Sequence, residues 1–211
     1  MTTPAPPHPF PAFNTEVKPA GLCVTRIHDP AFAGHAANPC MGGPTRFAPI
    51  HTASGDCIPT LYAASSLDAA AYESVFHDVP AVPGPKAVRL SKVTSRTVSE
   101  LQTVRPVRLA TLFAPDLSKL GLTRAQLIDT LPTAYAQTAR WAEAFHRADP
   151  TLDGLVWTSR RCDPDLAYVF FADRLTQADW QITSSDPIAG SATLLPSLRQ
   201  IAARADITLT M

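Results

Sequence analysis

The chain has 211 residues, 18 of them basic and 18 acidic, and the resulting formal net charge of zero argues against nucleic acid as its main partner, since such modules carry a basic surplus. With 45% hydrophobic and 17% charged side chains it is neither disordered nor fibrous, and at roughly 150 residues per domain one domain is the default count. No uninterrupted apolar run reaches the roughly 18 residues that would cross a bilayer.

The first 20 residues include Pro4, Pro6, Pro7, Pro9, Pro11 and Pro19, each lacking a backbone donor and fixing a dihedral. This composition suits an extended arm, lying over the domain or loose in solvent. It has neither the basic start nor the apolar stretch of a secretory signal, so a cytoplasmic protein is expected. Apolar-polar alternation predicts a strand from Cys23 to His28, ended by Asp29-Pro30. The next thirty or so residues are dense in turn formers, with Asn38-Pro39, Gly42-Gly43-Pro44 and Ser54-Gly55-Asp56, as in a binding loop.

Ile58 to Tyr62 reads as a strand, and Ser65 or Ser66 can cap a helix running to about His77. Leu67, Ala70, Ala71, Ser74 and Val75 form its core stripe, and Glu73 shares another face with Ser66, Ala69 and His77. Beyond the prolines at 80, 83 and 85, Lys86 to Val93 and Thr97 to Leu112 have the β-branched enrichment of strands. Thr123 should cap a helix that breaks near Pro132, followed by a second from about Thr133 to His146. Asp153-Gly154 reads as a turn, Leu155 to Thr158 and Leu166 to Phe171 as strands, and Leu195 to Ala203 as a closing amphipathic helix. Strands outnumber helices without regular alternation, so the fold class is α+β, with no internal repeat.

Cys23, Cys40, Cys57 and Cys162 form no CxxC pair and lie near no histidine pair of metal-ligand spacing, so zinc is not expected. A disulfide framework is not expected either, because a chain of this length has core enough without staples, and unpaired cysteines fit a cytosolic protein. The phosphate loop, Gly-x-Ser-x-Gly elbow, HExxH and GxGxxG signatures are absent. The remaining candidates are Arg26, Arg46, Tyr62, Glu73 and Ser159. Each has a plain structural reading: ion pair, half-buried ring, solvated charge or turn. Arg46, in the turn-rich loop, could also hold a pyrophosphate through its planar fork, and Tyr62 could stack on a flat heterocycle.

The runs TRIHDP, GGPTRFAP, PTLYAASSLDAAAYESVFHD and DGLVWTSRR, in this order and spacing from about Leu22 to Arg174, resemble the RES domain family. The resemblance implies a diphtheria-toxin-like ADP-ribosyltransferase fold, two packed β-sheets with an NAD cleft between them, in a single RES domain over residues 21–211 that has a C-terminal helical extension and follows the arm. It implies an NAD-consuming bacterial toxin that cleaves the nicotinamide–ribose glycosidic bond, as glycohydrolase or phosphorylase, and is inhibited by a cognate Xre-type antitoxin. The alternatives are a mono-ADP-ribosyltransferase acting on one protein and a non-catalytic nucleotide- or partner-binding module. NAD is then the substrate, no metal is required, and a homo-oligomer is compatible.

Carried over by position, Arg26 and Arg46 are the arginines of the cleft, Tyr62 its aromatic, Glu73 the carboxylate and Ser159 the serine. Cleavage builds positive charge on the ribose, which Glu73 would stabilise. The arginines would hold the pyrophosphate, Tyr62 would stack on nicotinamide, and Ser159 would position its amide or a ribose hydroxyl. His28 and His77 read as surface or structural residues, since this chemistry needs no histidine base.

Overall fold

The computed structural model describes residues 2–80 and 82–211. Along the chain run β1 (Thr15–Lys18), β2 (Cys23–His28), β3 (Ile50–His51), β4 (Cys57–Ile58), β5 (Thr60–Ala64), α1 (Leu67–Tyr72), β6 (Lys86–Arg89), α2 (Leu90–Thr94), β7 (Thr97–Thr103) and β8 (Val107–Thr111). They are followed by α3 (Ala114–Lys119), α4 (Arg124–Leu127), α5 (Tyr135–Ala148), β9 (Gly154–Thr158), β10 (Leu166–Phe171), β11 (Trp180–Pro187), α6 (Leu194–Ala203) and β12 (Ile207–Thr210). The α+β class is as expected from the sequence.

One eight-stranded sheet, in the order β1-β8-β9-β10-β5-β2-β7-β11, carries the molecule. The resemblance implies two packed sheets. Instead the two halves remain joined where β2 meets β5 through a single residue pair, Thr25 and Ala64. Pinched there, the sheet curls, and its halves close on a shared core of Val24, Leu61, Leu101, Leu109, Tyr168 and Phe170. Side-chain alternation supplies this core, because successive residues of a strand face opposite sides. In β10, Tyr168 and Phe170 enter it, while Val169 and Phe171 join Trp141, Phe145 and Trp157 in the core beneath α5. A third core, including Phe76, Val98, Leu198 and Ile201, gathers α1 and α6 around the other half.

Several elements differ from the sequence reading for identifiable reasons. The helix expected to reach His77 ends at Tyr72, with Glu73 as its C-cap, and the chain continues in turns to Val79. Arg161 stabilises those turns by donating to the carbonyls of Phe76 and Val79. Glu73 therefore lies on no helix face. The segment from Lys86 to Val93 is a strand only to Arg89, where its parallel pairing with β12 stops and α2 begins. Strands β11 and β12 are not among the expected elements, although β12 alternates apolar and polar residues over its four positions. β11 is an edge strand whose side chains are mostly exposed, so it shows no apolar alternation.

Gly154 opens β9 rather than ending a turn. A Cβ there would overlap the Val169 carbonyl oxygen of β10, so glycine is required by close approach. The proline-rich segment lies over the domain: Phe10 and Phe13 pack edge-on against Phe145, and β1 extends the sheet beyond β8.

The cysteine expectation fails at Cys40 and Cys57, which form a disulfide. Core size bears on global stability, whereas this bond acts locally, closing the irregular chain between Cys40 and the short β3-β4 hairpin. Cysteine usage accordingly gives no support to a cytosolic compartment. Cys23 is free and exposed, and Cys162 is free and buried. Among the described residues no helix is long and apolar enough to cross a membrane.

Candidate active site

At the pinch between the two sheet halves lies a cavity of about 530 Å³. Arg26, Arg46, Tyr62 and Glu73 all line it, which brings together four of the five residues singled out in the sequence. Ser159, fully buried, sits behind Glu73. A larger hollow of about 720 Å³ beside β6 and α2 contains none of the five. Among the described residues no group of three or more His, Cys, Asp or Glu side chains is placed to hold a metal ion.

Glu73 is oriented from one side only. Its Oε1 accepts hydrogen bonds from the Ser159 hydroxyl at 2.8 Å and from the Arg160 backbone N–H at 2.9 Å. Both donors follow the end of β9, so the sheet itself fixes the carboxylate. The other oxygen, Oε2, stands 3.7 Å from Nη1 of Arg46. Ser159 thus directs its hydroxyl to Glu73.

Arg46 has only 4% of its side chain exposed, yet its Nε and Nη2 make no hydrogen bond. Burying a guanidinium with idle donors is costly unless a ligand supplies acceptors, because each unmade bond forfeits about 1–3 kcal/mol. Its position is held through the backbone. Thr138 of α5 donates to the Arg46 carbonyl, and the Tyr135 ring lies beneath the guanidinium at 5.8 Å. The Tyr62 hydroxyl accepts from the Phe47 N–H at 2.9 Å and pairs with the Thr45 hydroxyl at 3.0 Å, gripping the residues on either side of Arg46. Burial pushes the Tyr62 phenol up to about 12, so it works as a neutral group.

Arg26 serves the loop as well as the cavity. Its Nη1 donates to the carbonyls of Gly34 at 2.7 Å and Ala36 at 2.6 Å, tying the turn-rich segment to β2. Burial lowers its pKa to about 10, still high enough for a cation at neutral pH.

Sequence reading missed Tyr135, His77 and Trp157, which line the same cavity. Tyr135 opens α5 directly after Pro132-Thr133-Ala134, and its place one turn before Thr138 was the available signal. His77 reads from the sequence as a structural residue, because its partner Tyr135 lies 58 positions away.

No curated protein sequence matches the chain at a significant level. The fold is similar to that in the crystal structure of the M. tuberculosis MbcT–MbcA toxin–antitoxin complex, with a TM-score of 0.60 and 14% identity, covering 87% of this chain and 92% of that one. The family model described as the RES domain matches residues 24–187, more than half of the chain. The chain therefore belongs to the RES domain family.

Proposed function

We propose that this chain is an NAD-consuming toxin that breaks the bond between nicotinamide and ribose, in a cleft of the diphtheria-toxin-like ADP-ribosyltransferase kind. The observation that carries this reading is the buried Arg46 with two idle donors, 3.7 Å from the Glu73 carboxylate, in one cavity of about 530 Å³. A pyrophosphate would supply the acceptors that the arginine fork lacks. The carboxylate would face the positive charge that grows on the ribose as nicotinamide departs. The volume falls within the roughly 300–1,000 Å³ of small-molecule sites.

In this reading Ser159 and the Arg160 N–H hold Glu73 toward the ribose, Tyr62 and Tyr135 hold Arg46, and the ring of Tyr62 forms part of the wall against nicotinamide. Preorganised groups of this kind need no rearrangement at the moment of reaction. Family membership supports the NAD reading. The similarity to a toxin solved with its antitoxin supports a cognate antitoxin; in this reading the antitoxin is of Xre type and the pair acts in the cytoplasm.

The test is the NAD level after mixing purified protein with NAD, with and without phosphate, beside Glu73→Gln. Depletion by the wild type alone is expected, and a requirement for phosphate would identify phosphorolysis. No depletion in either buffer would overturn the reading. Labelling of a discrete protein band from biotinylated NAD would then identify a mono-ADP-ribosyltransferase.

A further inference from the structure

The cavity contains a second chain of polar groups that the charge-stabilising role of Glu73 leaves unused. Nδ1 of His77 lies 3.0 Å from Oδ1 of Asp78, and Nε2 lies 3.1 Å from the Tyr135 hydroxyl. A carboxylate oxygen only accepts, so the imidazole donates from Nδ1 to Asp78. In the neutral ring this leaves Nε2 bare to accept from Tyr135. All three residues line the same cavity as Glu73 and Arg46. An imidazole oriented by a carboxylate and bonded to a hydroxyl at the substrate face has the arrangement of a general base.

We infer that Tyr135, His77 and Asp78 form the proton relay that activates water as the acceptor in this cleft, so that the reaction is hydrolysis. This rests on the NAD reading above and extends it. When the nicotinamide–ribose bond of NAD⁺ breaks, nicotinamide leaves with the bonding electron pair as a neutral molecule and takes no proton. The attacking water forms the new O–C1′ bond and must lose one. That proton passes to the Tyr135 oxygen as the Tyr135 proton passes to Nε2 of His77, giving an imidazolium paired with Asp78. The balance is NAD⁺ and water to ADP-ribose, nicotinamide and one proton. Inorganic phosphate, attacking through an oxygen that is already anionic, would not need the relay.

His77 has 27% of its side chain exposed, so the proton can leave to solvent. The charged groups around it are Asp78 in its own turn, Lys92 of α2 paired with the other Asp78 oxygen at 3.2 Å, and Glu73, Arg46 and Arg96 across the cavity. Arg161 lies behind the turn, on the carbonyls of Phe76 and Val79. The His77 bond, the largest influence on it, holds the Asp78 carboxyl below its ordinary range, as a partner to imidazolium should be.

The test compares His77→Gln and Tyr135→Phe with wild type in phosphate-free buffer. Tyr135→Phe keeps the ring beneath Arg46 and removes only the hydroxyl. Each should lower kcat about 10²-fold with KM unchanged. The wild-type rate should depend on pH, and His77→Gln should flatten that dependence. Unchanged kcat and pH profile in both variants, or wild-type turnover only with phosphate, would overturn the relay while leaving NAD consumption standing. No wild-type turnover at all would instead overturn the NAD reading. An independent readout is the ¹⁵N spectrum of labelled histidine. A neutral His77 protonated on Nδ1, with an Nε2 signal that moves in Tyr135→Phe, is expected, and a ring protonated on Nε2 would overturn the relay whatever the activity.

Discussion

The two charged groups at the centre of the cavity stand on regions built in different ways. Glu73 follows a helix capped by Ser66, and its carboxylate is held by groups just past β9, a strand paired on both sides. Arg46 sits in the irregular stretch between β2 and β5, where the few backbone pairings are short: β3 with β4, and the bridges Asn38–Thr60 and Thr45–Ala48. Side chains do there what sheet ladders do elsewhere. The Cys40–Cys57 bond, the Tyr62 hydroxyl, the Thr138 hydroxyl and Arg26 each fix one point of the loop. Loops carry function because a rigid scaffold positions them, and in this protein the positioning is distributed over several single contacts. Damage to the scaffold should therefore act on stability without a selective loss of binding, and damage to the loop should weaken ligand binding as well.

The largest effect is expected at the carboxylate itself. Glu73→Gln keeps an acceptor for Ser159 and Arg160 but removes the charge, so turnover should fall about 10²- to 10³-fold with an unchanged melting temperature. Matched NAD-consumption assays and thermal melts would check both halves of that statement.

Reduction of Cys40–Cys57 releases a loop whose closure is worth about 3 kcal/mol at this span. A dithiol should lower the melting temperature and weaken NAD binding together. In the sheet, Gly154→Ala forces a methyl against the Val169 carbonyl, a strain of about 1–3 kcal/mol that denaturant titration would detect. It should reduce stability without a selective loss of ligand affinity. Tyr62→Phe leaves the Phe47 N–H without its acceptor, at about 1–3 kcal/mol, and should raise the dissociation constant for NAD more than it lowers the melting point. Equal losses in both would erase the contrast between loop and scaffold.

The smallest effect concerns pH. Asp149 accepts from the Thr151 hydroxyl and N–H and pairs with Arg108, bonds that hold its carboxyl below the ordinary 3.8. A depressed folded-state pKa gives stability that is present above the unfolded value and lost as pH falls through the folded one. Asp149→Asn should therefore destabilise at neutral pH, with a gap from wild type that narrows in denaturation curves as the pH falls below the ordinary 3.8.

Local pattern was enough to delimit some elements. Cys23–His28 and Leu166–Phe171 alternate or run apolar between clear turn signals, and both strands have those bounds in the structure. Four residues recognised through their motif context, Arg26, Arg46, Tyr62 and Glu73, share one cavity. Hidden from the sequence were features that depend on a partner distant along the chain. The turns that follow α1 are held by Arg161, and β6 stops where β12 stops pairing with it. The polar edge strand β11 becomes a strand only by pairing with β7.

The sequence by itself determined the class of fold, the main strands and the family, because these follow from short-range alternation, turn chemistry and ordered motifs. Tertiary structure alone decided that Cys40 meets Cys57, that Ser159 turns its hydroxyl to Glu73, and that His77 meets Tyr135. The physical reason is reach. Hydrogen bonds and disulfides act over a few ångströms, and only the curled sheet brings residues 58 and 86 positions apart within that distance.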